Sequence, residues 1–187
     1  MLRPAYPIET ARLILRPFAR GDLDDLYSFH SRPDVARYLY WDARTRDAVR
    51  GALDRKVDER AIVDEGGRIT LAVARRDDPR VIGEVMMRWL SREHRQGELG
   101  YVFHPEFGGH GYATEAAREM LRLGFEGLSL HRMVGRCDAR NVASARVMER
   151  LGMRLEAHLV QNEWFKGEWG DELVYAMLAS EWKDTLS

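Results

Sequence analysis

The segment HPEFGGHGYATEA, residues His104–Ala116, places three glycines within four positions just before a helical pattern. Glycine loses more backbone freedom on folding than any other residue, so glycines at the start of a helix have a conformational cost. Gly108, Gly109 and Gly111 stand where free N–H groups and the positive end of a helix dipole form an anion site. The stretch therefore predicts a strand–loop–helix unit whose loop binds phosphate.

Two common nucleotide-binding motifs do not fit this loop. No Lys-Ser or Lys-Thr pair follows the last glycine, as a P-loop requires, and the third glycine of the dinucleotide fingerprint is missing. These glycines exclude the NTPase and dinucleotide-binding classes. On the glycines alone, a glycine-rich turn without a ligand remains the alternative.

The flanking segments alternate between strand and helix patterns and predict a single mixed α/β domain over residues 1–187. Strands are predicted at 12–18, 68–76, 80–90, 97–104, 131–138, 153–161 and 171–179, of which 68–104 form an antiparallel meander and the last two a final pair. Helices are predicted near 23–29, capped by Asp22, near 44–63, at 111–126, and at 141–152, ended by Gly152.

Composition limits the possible partners and the compartment. The chain has 29 Lys plus Arg against 30 Asp plus Glu, so its net charge of -1 provides no general attraction to nucleic acid or to an anionic membrane. No apolar run approaches the roughly 20 residues of a membrane span. The lone cysteine, Cys137, has no disulfide or metal-cluster companion, which predicts a cytoplasmic protein with Cys137 as a small buried side chain in a strand.

A second polar pair lies in DARNVASARVMERLG. Asn141 and Ser144 are three residues apart and therefore share one face at the start of a helix. The simplest interpretation is capping, in which the Asn141 side chain accepts from the amide of Ser144. The alternative is that both polar groups face a ligand.

Taken together, FGGHGYATEA and NVASARVMERLG resemble the acyl-CoA-binding core of the GNAT superfamily of N-acetyltransferases. TARLILRPF, GELGYVFHPEFGGHGYATEA and NEWFKGEWGDELVYAML resemble the branch that includes the ribosomal-protein N-terminal acetyltransferases, in order and spacing. The resemblance spans roughly residues 8–179 and matches least over 22–65. It implies a single-domain GNAT fold, in which helices flank a mixed, mostly antiparallel central sheet with a splayed strand pair.

The resemblance also implies acetyl-CoA as cosubstrate, with no metal. Gly111 and Ala113 occupy marked positions of the family's pyrophosphate loop, whereas Gly108 departs from the first marked position. The amides expected to face the pyrophosphate are those of Gly109, His110, Gly111, Tyr112 and Ala113.

Within the same resemblance, Asn141 matches the residue that contacts the pantetheine arm, and Ser144 matches a serine near the thioester sulfur. Ser144 is therefore the candidate that gives a proton or hydrogen bond to the leaving thiolate. The amide of Val102, or of an immediate neighbour, is expected to polarise the thioester carbonyl, because attack by an amine puts negative charge on that oxygen. The sequence does not decide between Val102 and its neighbours.

A base must take the proton of the attacking amine, whose pKa in a lysine-type group is near 10.4. Glu163 matches a glutamate proposed as base in the ribosomal branch and is the favoured candidate. Glu98, on a predicted strand, is the alternative, as is a water relay. His104 and His110 are not assigned as bases, and Tyr101 and Tyr112 are expected to pack.

The acceptor is less constrained than the donor. Carboxylates and aromatic rings alternate in NEWFKGEWGDE, a mixture suited to a cationic amine, although core packing of the rings is the alternative. The expected acceptor is a small-molecule or peptide amine: a protein N-terminus, an aminoglycoside-like antibiotic or a small cationic metabolite. A non-catalytic acyl-CoA sensor is the rival from another class. The chain is expected to be a monomer or homodimer and to bind neither nucleic acid nor membrane.

Overall fold

The computed structural model describes residues 1–184, which fold around one eight-stranded sheet flanked by helices. The strands are β1 (Ile8–Glu9), β2 (Leu13–Pro17), β3 (Arg68–Arg75), β4 (Asp78–Ser91), β5 (Gln96–Phe103), β6 (Arg132–Asp138), β7 (Arg154–Phe165) and β8 (Glu168–Leu178). The helices are α1 (Leu23–His30), α2 (Pro33–Ala36), α3 (Arg46–Asp58), α4 (Tyr112–Arg122), α5 (Val142–Arg150) and α6 (Ala179–Asp184). No helix in this part of the chain is long and apolar enough to cross a membrane.

The sheet runs in the order β1-β2-β3-β4-β5-β6-β8-β7, and every neighbouring pair is antiparallel except β5 and β6. This confirms the mixed, mostly antiparallel sheet and the central meander. The parallel pair joins only residues 96–98 of β5 to residues 132–134 of β6. Beyond these residues both strands continue without pairing to each other, so a gap opens in the middle of the sheet.

Both faces of the sheet are covered. Leu71, Val85 and Leu99 belong to the core on the side of α4 and α5, whereas Ala72 belongs to a second cluster with residues of α1 and α3. Side chains alternate between the faces along a strand, so β3 is buried continuously from 69 to 74. The α1–α3 segment therefore forms the second wall over the gap.

Several predicted boundaries move for local reasons. The helix predicted at 44–63 begins at Arg46, because the Thr45 hydroxyl accepts from the amide of Ala48. It ends at Asp58, since Ile62 leaves the helix to form a β-bridge with Leu2.

Three further predictions are corrected. The helix predicted at 111–126 is α-helical only to Arg122, and residues 123–127 form a wider π-helical turn. The final hairpin is longer than predicted, since β7 reaches Phe165 and β8 begins at Glu168. Asp22 stands at the start of α1 without a capping bond, because its carboxylate accepts from Arg16 and from the amide of Ala19.

Candidate active site

The glycine loop has the backbone geometry of an anion site. Gly109 and Gly111 both have φ of +80°, in the left-handed region where side chains are disfavoured. The amide of Glu115 donates to Gly111 O, so the preceding amides lie before the first helical hydrogen bond and point out of the helix end. The Thr114 hydroxyl is buried there with no hydrogen-bond partner in residues 1–184. These groups fit a diphosphate.

The N-terminal segment braces this loop. Arg12 Nη1 donates to His110 O at 2.9 Å, and Arg12 Nε donates to Glu115 Oε2 at 2.7 Å. Thr10 Oγ1 donates to the other carboxylate oxygen of Glu115 at 2.6 Å. The Arg12 guanidinium also lies 4.9 Å from the centre of the Tyr112 ring. The contacts of Arg12 with His110 and Glu115 were not predicted from the sequence. They join residues about a hundred positions apart and leave no local sequence pattern.

The loop also opens onto a cleft of about 440 Å³. Arg118 of α4 and Arg150 of α5 line it beside Gly109, His110 and Gly111. Arg12 and its partner Glu115 line the cleft as well, so backbone amides, three arginines and one carboxylate form it, and the net positive charge suits a phosphate-rich ligand. The remaining predicted loop residues, Tyr112 and Ala113, form the first turn of α4 and pack against the core.

A larger cavity, of about 500 Å³, occupies the gap between β5 and β6. It brings together all five of the other predicted site residues, from β5, α5 and β7: Glu98, Val102, Asn141, Ser144 and Glu163. The cavity is lined on one side by α5 and on the other by residues of α1 and α3. Reagents can therefore meet through the sheet, one from each face.

The strand register corrects the expected direction of the Val102 amide. His104 N donates to Ile82 O of β4 at 2.9 Å. Backbone N–H groups alternate sides along a strand, so the Val102 amide also faces β4. The amides of Tyr101 and Phe103 face the gap instead, and these are the immediate neighbours that the sequence left open.

Ser144 lies in a small hydrogen-bonded group. Asn141 Oδ1 accepts from the amide of Ser144 at 3.1 Å, so the capping interaction is present. The Tyr101 hydroxyl lies 2.8 Å from Ser144 O, to which it donates, and 3.0 Å from Ser144 Oγ. Burial raises the pKa of Tyr101, which therefore stays protonated. Tyr101 was expected only to pack, and its contact with Ser144 is the main polar feature that sequence reasoning missed.

Cys137 lies in strand β6, as predicted, but it is half-buried rather than buried and lines the same cavity. Burial raises the pKa of its thiol to about 11, so it is not a thiolate at neutral pH.

The two candidate bases differ in their surroundings. The Glu98 side chain is 23% exposed, and Arg136 Nε lies 3.9 Å from its carboxylate. Burial raises the pKa of Glu98, and Arg136 and Arg88 oppose that shift. Glu163 instead accepts a 2.6 Å hydrogen bond from the hydroxyl of Tyr40, a mostly exposed residue.

The β7–β8 hairpin is anchored to the segment after α2. Lys166 Nζ donates to Ala36 O at 2.7 Å and to Trp41 O at 3.0 Å. Trp164 and Trp169 stack edge to face on each other and are 64% and 56% exposed, outside the cavity lining. Glu163, Phe165, Asp171 and Glu172 of the same segment do line the cavity, whereas these two rings neither line it nor pack on the core.

A buried ionic cluster lies under the α1–α3 wall. Lys56 Nζ is 2.9 Å from one Glu84 oxygen, and His30 Nε2 is 3.4 Å from the other. Burial alone would raise the pKa of Glu84, but Lys56 and His30 together lower it to about 2. Sequence analysis missed this cluster because its members come from α1, α3 and β4.

Comparison with known proteins agrees with this geometry. Residues 12–154 match the family model described as an acetyltransferase (GNAT) domain. The uncharacterized N-acetyltransferase YnaD of Bacillus subtilis is 32% identical over 94% of this chain and 98% of its own length. The spermidine N(1)-acetyltransferase of Escherichia coli K12 is 26% identical over 83% of this chain and 80% of its own. The crystal structure of an acetyltransferase (GNAT family) from Bacillus anthracis superposes with a TM-score of 0.84 at 30% identity, covering 94% of this chain and 99% of that one.

Proposed function

Because this chain belongs to the GNAT family and is an acetyl-CoA-dependent N-acetyltransferase, we propose that an acceptor amine attacks the thioester directly, inside the cavity between β5 and β6. The observation that carries this proposal is the gap in the sheet. It joins the α5 side, where Ser144 and Tyr101 lie, to the α1–α3 side, where Glu98 lies. Donor and acceptor can thus meet in one ternary complex.

Acetyl-CoA fits along the α4 and α5 side of the sheet. Its pyrophosphate would lie on the amides that precede Glu115, with Arg118 and Arg150 close by. Its pantetheine arm would enter the gap along β5 and pass Asn141. Its acetyl thioester supplies the activated acyl group of the reaction.

The amides of Tyr101 and Phe103 point into the gap and are the proposed donors to the thioester carbonyl oxygen. Negative charge grows on this oxygen as the amine attacks, and a preorganised donor contributes on the order of 3 kcal/mol. The backbone amide of Tyr101, rather than that of Val102, is thus the proposed donor to the thioester carbonyl oxygen. This amide is fixed because β5 pairs with β4 on the opposite side.

Glu98 is the proposed base, in preference to Glu163. A half-buried carboxylate with a raised pKa is better matched to an ammonium proton than one that accepts a hydrogen bond from a tyrosine. Glu98 takes the proton directly or through water, and the nitrogen then forms the new bond to the acetyl carbon. We assign Glu163 to holding Tyr40 at the cavity mouth.

The carbon–sulfur bond breaks as the amide forms, and the leaving thiolate needs a proton. Ser144 is the proposed donor. Its own proton can be replaced by that of the Tyr101 hydroxyl, 3.0 Å away. The nitrogen loses its second proton as the amide forms, and water carries that proton back to the Tyr101–Ser144 pair, while the proton taken by Glu98 goes to solvent. An ammonium and acetyl-CoA thus yield an acetylated amine, free CoA and one proton.

The direct test is an acceptor screen with acetyl-CoA, in which release of CoA thiol and the mass of the acetylated product are measured together. We expect thiol release that depends on an amine and yields an acetylated product. Tight binding of acetyl-CoA without thiol release for any amine class would support the sensor alternative instead.

A further inference from the structure

The acceptor side of the cavity carries an excess of positive charge near α3. Four cationic side chains and two carboxylates line this end: Arg44, Arg55, Lys56 and Arg68, with Glu59 and Glu84. Lys56 pairs with Glu84 at 2.9 Å, and Arg68 pairs with Glu59 at 2.5 Å. Arg44 and Arg55 are left over, and no carboxylate in residues 1–184 lies within 4.0 Å of either guanidinium.

Arg44 is held in place by groups that do not neutralise it. Its Nη1 is 3.0 Å from His30 Nδ1, which must accept because arginine only donates. Its guanidinium lies 4.2 Å from the centre of the Trp41 ring. Burial lowers the pKa of Arg44, Glu84 opposes this shift, and the neighbouring Arg55 adds to it. Arg55 is exposed, so solvent screens part of its repulsion with Arg44, and an anion between the two guanidinium groups would turn the remaining repulsion into attraction.

The opposite end of the cavity carries an excess of negative charge. Five carboxylates and one arginine line it: Glu98, Asp138, Glu163, Asp171 and Glu172, with Arg136. Arg136 pairs with Glu172 at 3.1 Å and is 3.9 Å from Glu98. Asp138 is paired with Arg140 and Asp171 with His158, each at 2.7 Å, so Glu98 and Glu163 carry most of the negative excess at this end, opposite the cations near α3.

We propose that the acceptor is an amine that also carries a carboxylate, whose anion binds Arg44 and Arg55 while its amino group lies against Glu98. This inference rests on the proposed acetyl transfer and narrows its substrate class. Arginine suits the task because its planar guanidinium binds a carboxylate through two parallel hydrogen bonds. A polyamine is disfavoured, because it would place a second cation against the two arginines.

The test uses acceptor pairs that differ only in the acid: lysine with cadaverine, ornithine with putrescine, and a C-terminally amidated tripeptide with glutamate or glutamine at its second position. The wild-type protein should acetylate the acid-bearing member of a pair with a kcat/KM at least about tenfold higher. Arg55→Gln and Arg44→Gln should bring this ratio close to one, and Arg55→Lys should keep part of it. The KM for acetyl-CoA should not change.

Arg50→Gln is the matched control on the same helix, because Arg50 pairs with Asp47 and lies outside the cavity lining. It should retain the wild-type preference. A preference confined to the tripeptide pair would identify a peptide as the source of the carboxylate. A preference confined to the free amino acids would identify a small molecule.

Two failures are distinguishable. If amines are acetylated but the ratio is near one, or if polyamines are preferred, the carboxylate requirement is overturned and acetyl transfer stands. If no amine is acetylated, calorimetry with CoA-saturated protein still decides the arginine site. The arginine site is supported if the protein binds lysine but not cadaverine and if Arg55→Gln abolishes the binding of lysine. It is overturned if no such binding is measured.

Discussion

The two sides of the central sheet form their parts of the site in different ways. On the α4 and α5 side, the proposed phosphate loop lies within a few consecutive residues and offers mainly backbone amides. On the α1–α3 side, ionic side chains from distant segments line the cavity, such as Lys56 of α3 and Glu84 of β4. A backbone site depends on conformation and leaves a contiguous sequence pattern, whereas a side-chain site depends on tertiary packing and leaves none.

The sharpest test of this contrast is Gly111→Val. Gly111 has φ of +80°, which a β-branched residue rarely adopts, and an added Cβ would lie 3.5 Å from Arg12 Nη2 beside the amides proposed to bind phosphate. We expect acetyl-CoA affinity to fall by about a hundredfold or more, because the loop loses its conformation and its close approach to the ligand. Calorimetry with acetyl-CoA measures the loss, and the thermal shift caused by the ligand should disappear.

Gly66→Val is the matched control. Gly66 also has a positive φ, of +82°, and no atom lies within 4 Å of the position of an added Cβ. The substitution introduces similar backbone strain far from the loop, so acetyl-CoA affinity should remain normal. If a folded Gly111→Val protein bound acetyl-CoA as tightly as Gly66→Val, the ligand would not lie on this loop.

The same contrast explains which parts were predictable from the sequence. The strand–loop–helix unit around the glycines and the meander were predicted correctly, and the capping bond offered as one interpretation of Asn141 is present, because each depends on local spacing or backbone chemistry. The phosphate-binding role of the loop stays a prediction. The direction of the Val102 amide was not predictable, since it is set by pairing with β4. The contact between Tyr101 and Ser144 joins two elements, and alternation along β5 would have placed Tyr101 on the α5 face without identifying its partner.

The hairpin shows a second limit of sequence reasoning. Its carboxylates and aromatic rings indicated an amine site, but strand alternation and the long β7–β8 extension place Trp164 and Trp169 outside the cavity. The composition of the hairpin indicated which side-chain types it offers, but not which of them face the cavity. Only the register assigns Glu172 to the cavity and the tryptophans to solvent.

The next prediction compares the two carboxylates on the acceptor side. Glu98→Gln should lower kcat by about a hundredfold at pH 7, the scale of general base catalysis, because the amine then loses its proton acceptor. Glu163→Gln should have a much smaller effect, since Glu163 accepts from Tyr40. The deficit of Glu98→Gln should shrink between pH 7 and pH 9.5, where more of the amine is already neutral.

The wild-type pH profile provides an independent check. The base acts as a carboxylate, and burial raises the pKa of Glu98 in the free protein, so kcat/KM for the amine should fall with decreasing pH through a pKa above the ordinary glutamate value. Glu98→Gln should remove this acid limb. If Glu163→Gln gave the larger loss and the same recovery at high pH, the original preference for Glu163 would be correct.

The third prediction concerns Ser144, which lies where the two sides meet. Ser144→Ala should reduce kcat by about tenfold, because a hydrogen bond to a charged leaving group is lost. Acetyl-CoA affinity should change little, since the amides of the loop are intact. Pre-steady-state thiol release at saturating acetyl-CoA measures the effect. A raised acetyl-CoA KM at normal kcat would identify Ser144 as a binding or capping residue.

Tyr101→Phe separates the serine from its neighbour. It removes the hydroxyl that donates to Ser144 O and leaves the ring and the Tyr101 amide in place. If the Tyr101 proton replaces that of Ser144, the double variant should be no slower than the slower single variant. If the losses in kcat of the two single variants multiply in the double variant, the hydroxyls of Tyr101 and Ser144 do not form one proton-transfer chain.

The smallest expected effect is that of Arg12, where a side chain supports the backbone site. Arg12 contacts no predicted reacting atom, but it joins the carbonyl of His110 to the carboxylate of Glu115 and so positions the loop. Arg12→Ala should raise the KM for acetyl-CoA by roughly fivefold with kcat unchanged, since a half-exposed ion pair contributes only about 1 kcal/mol. Arg12→Lys should recover part of the affinity.

S-acetyl-pantetheine, which lacks the pyrophosphate, separates positioning from general destabilisation, because its turnover does not depend on the loop. Equal losses with acetyl-CoA and with the truncated donor would show that Arg12 supports the fold rather than the proposed phosphate loop, and the backbone site would then not depend on this side chain.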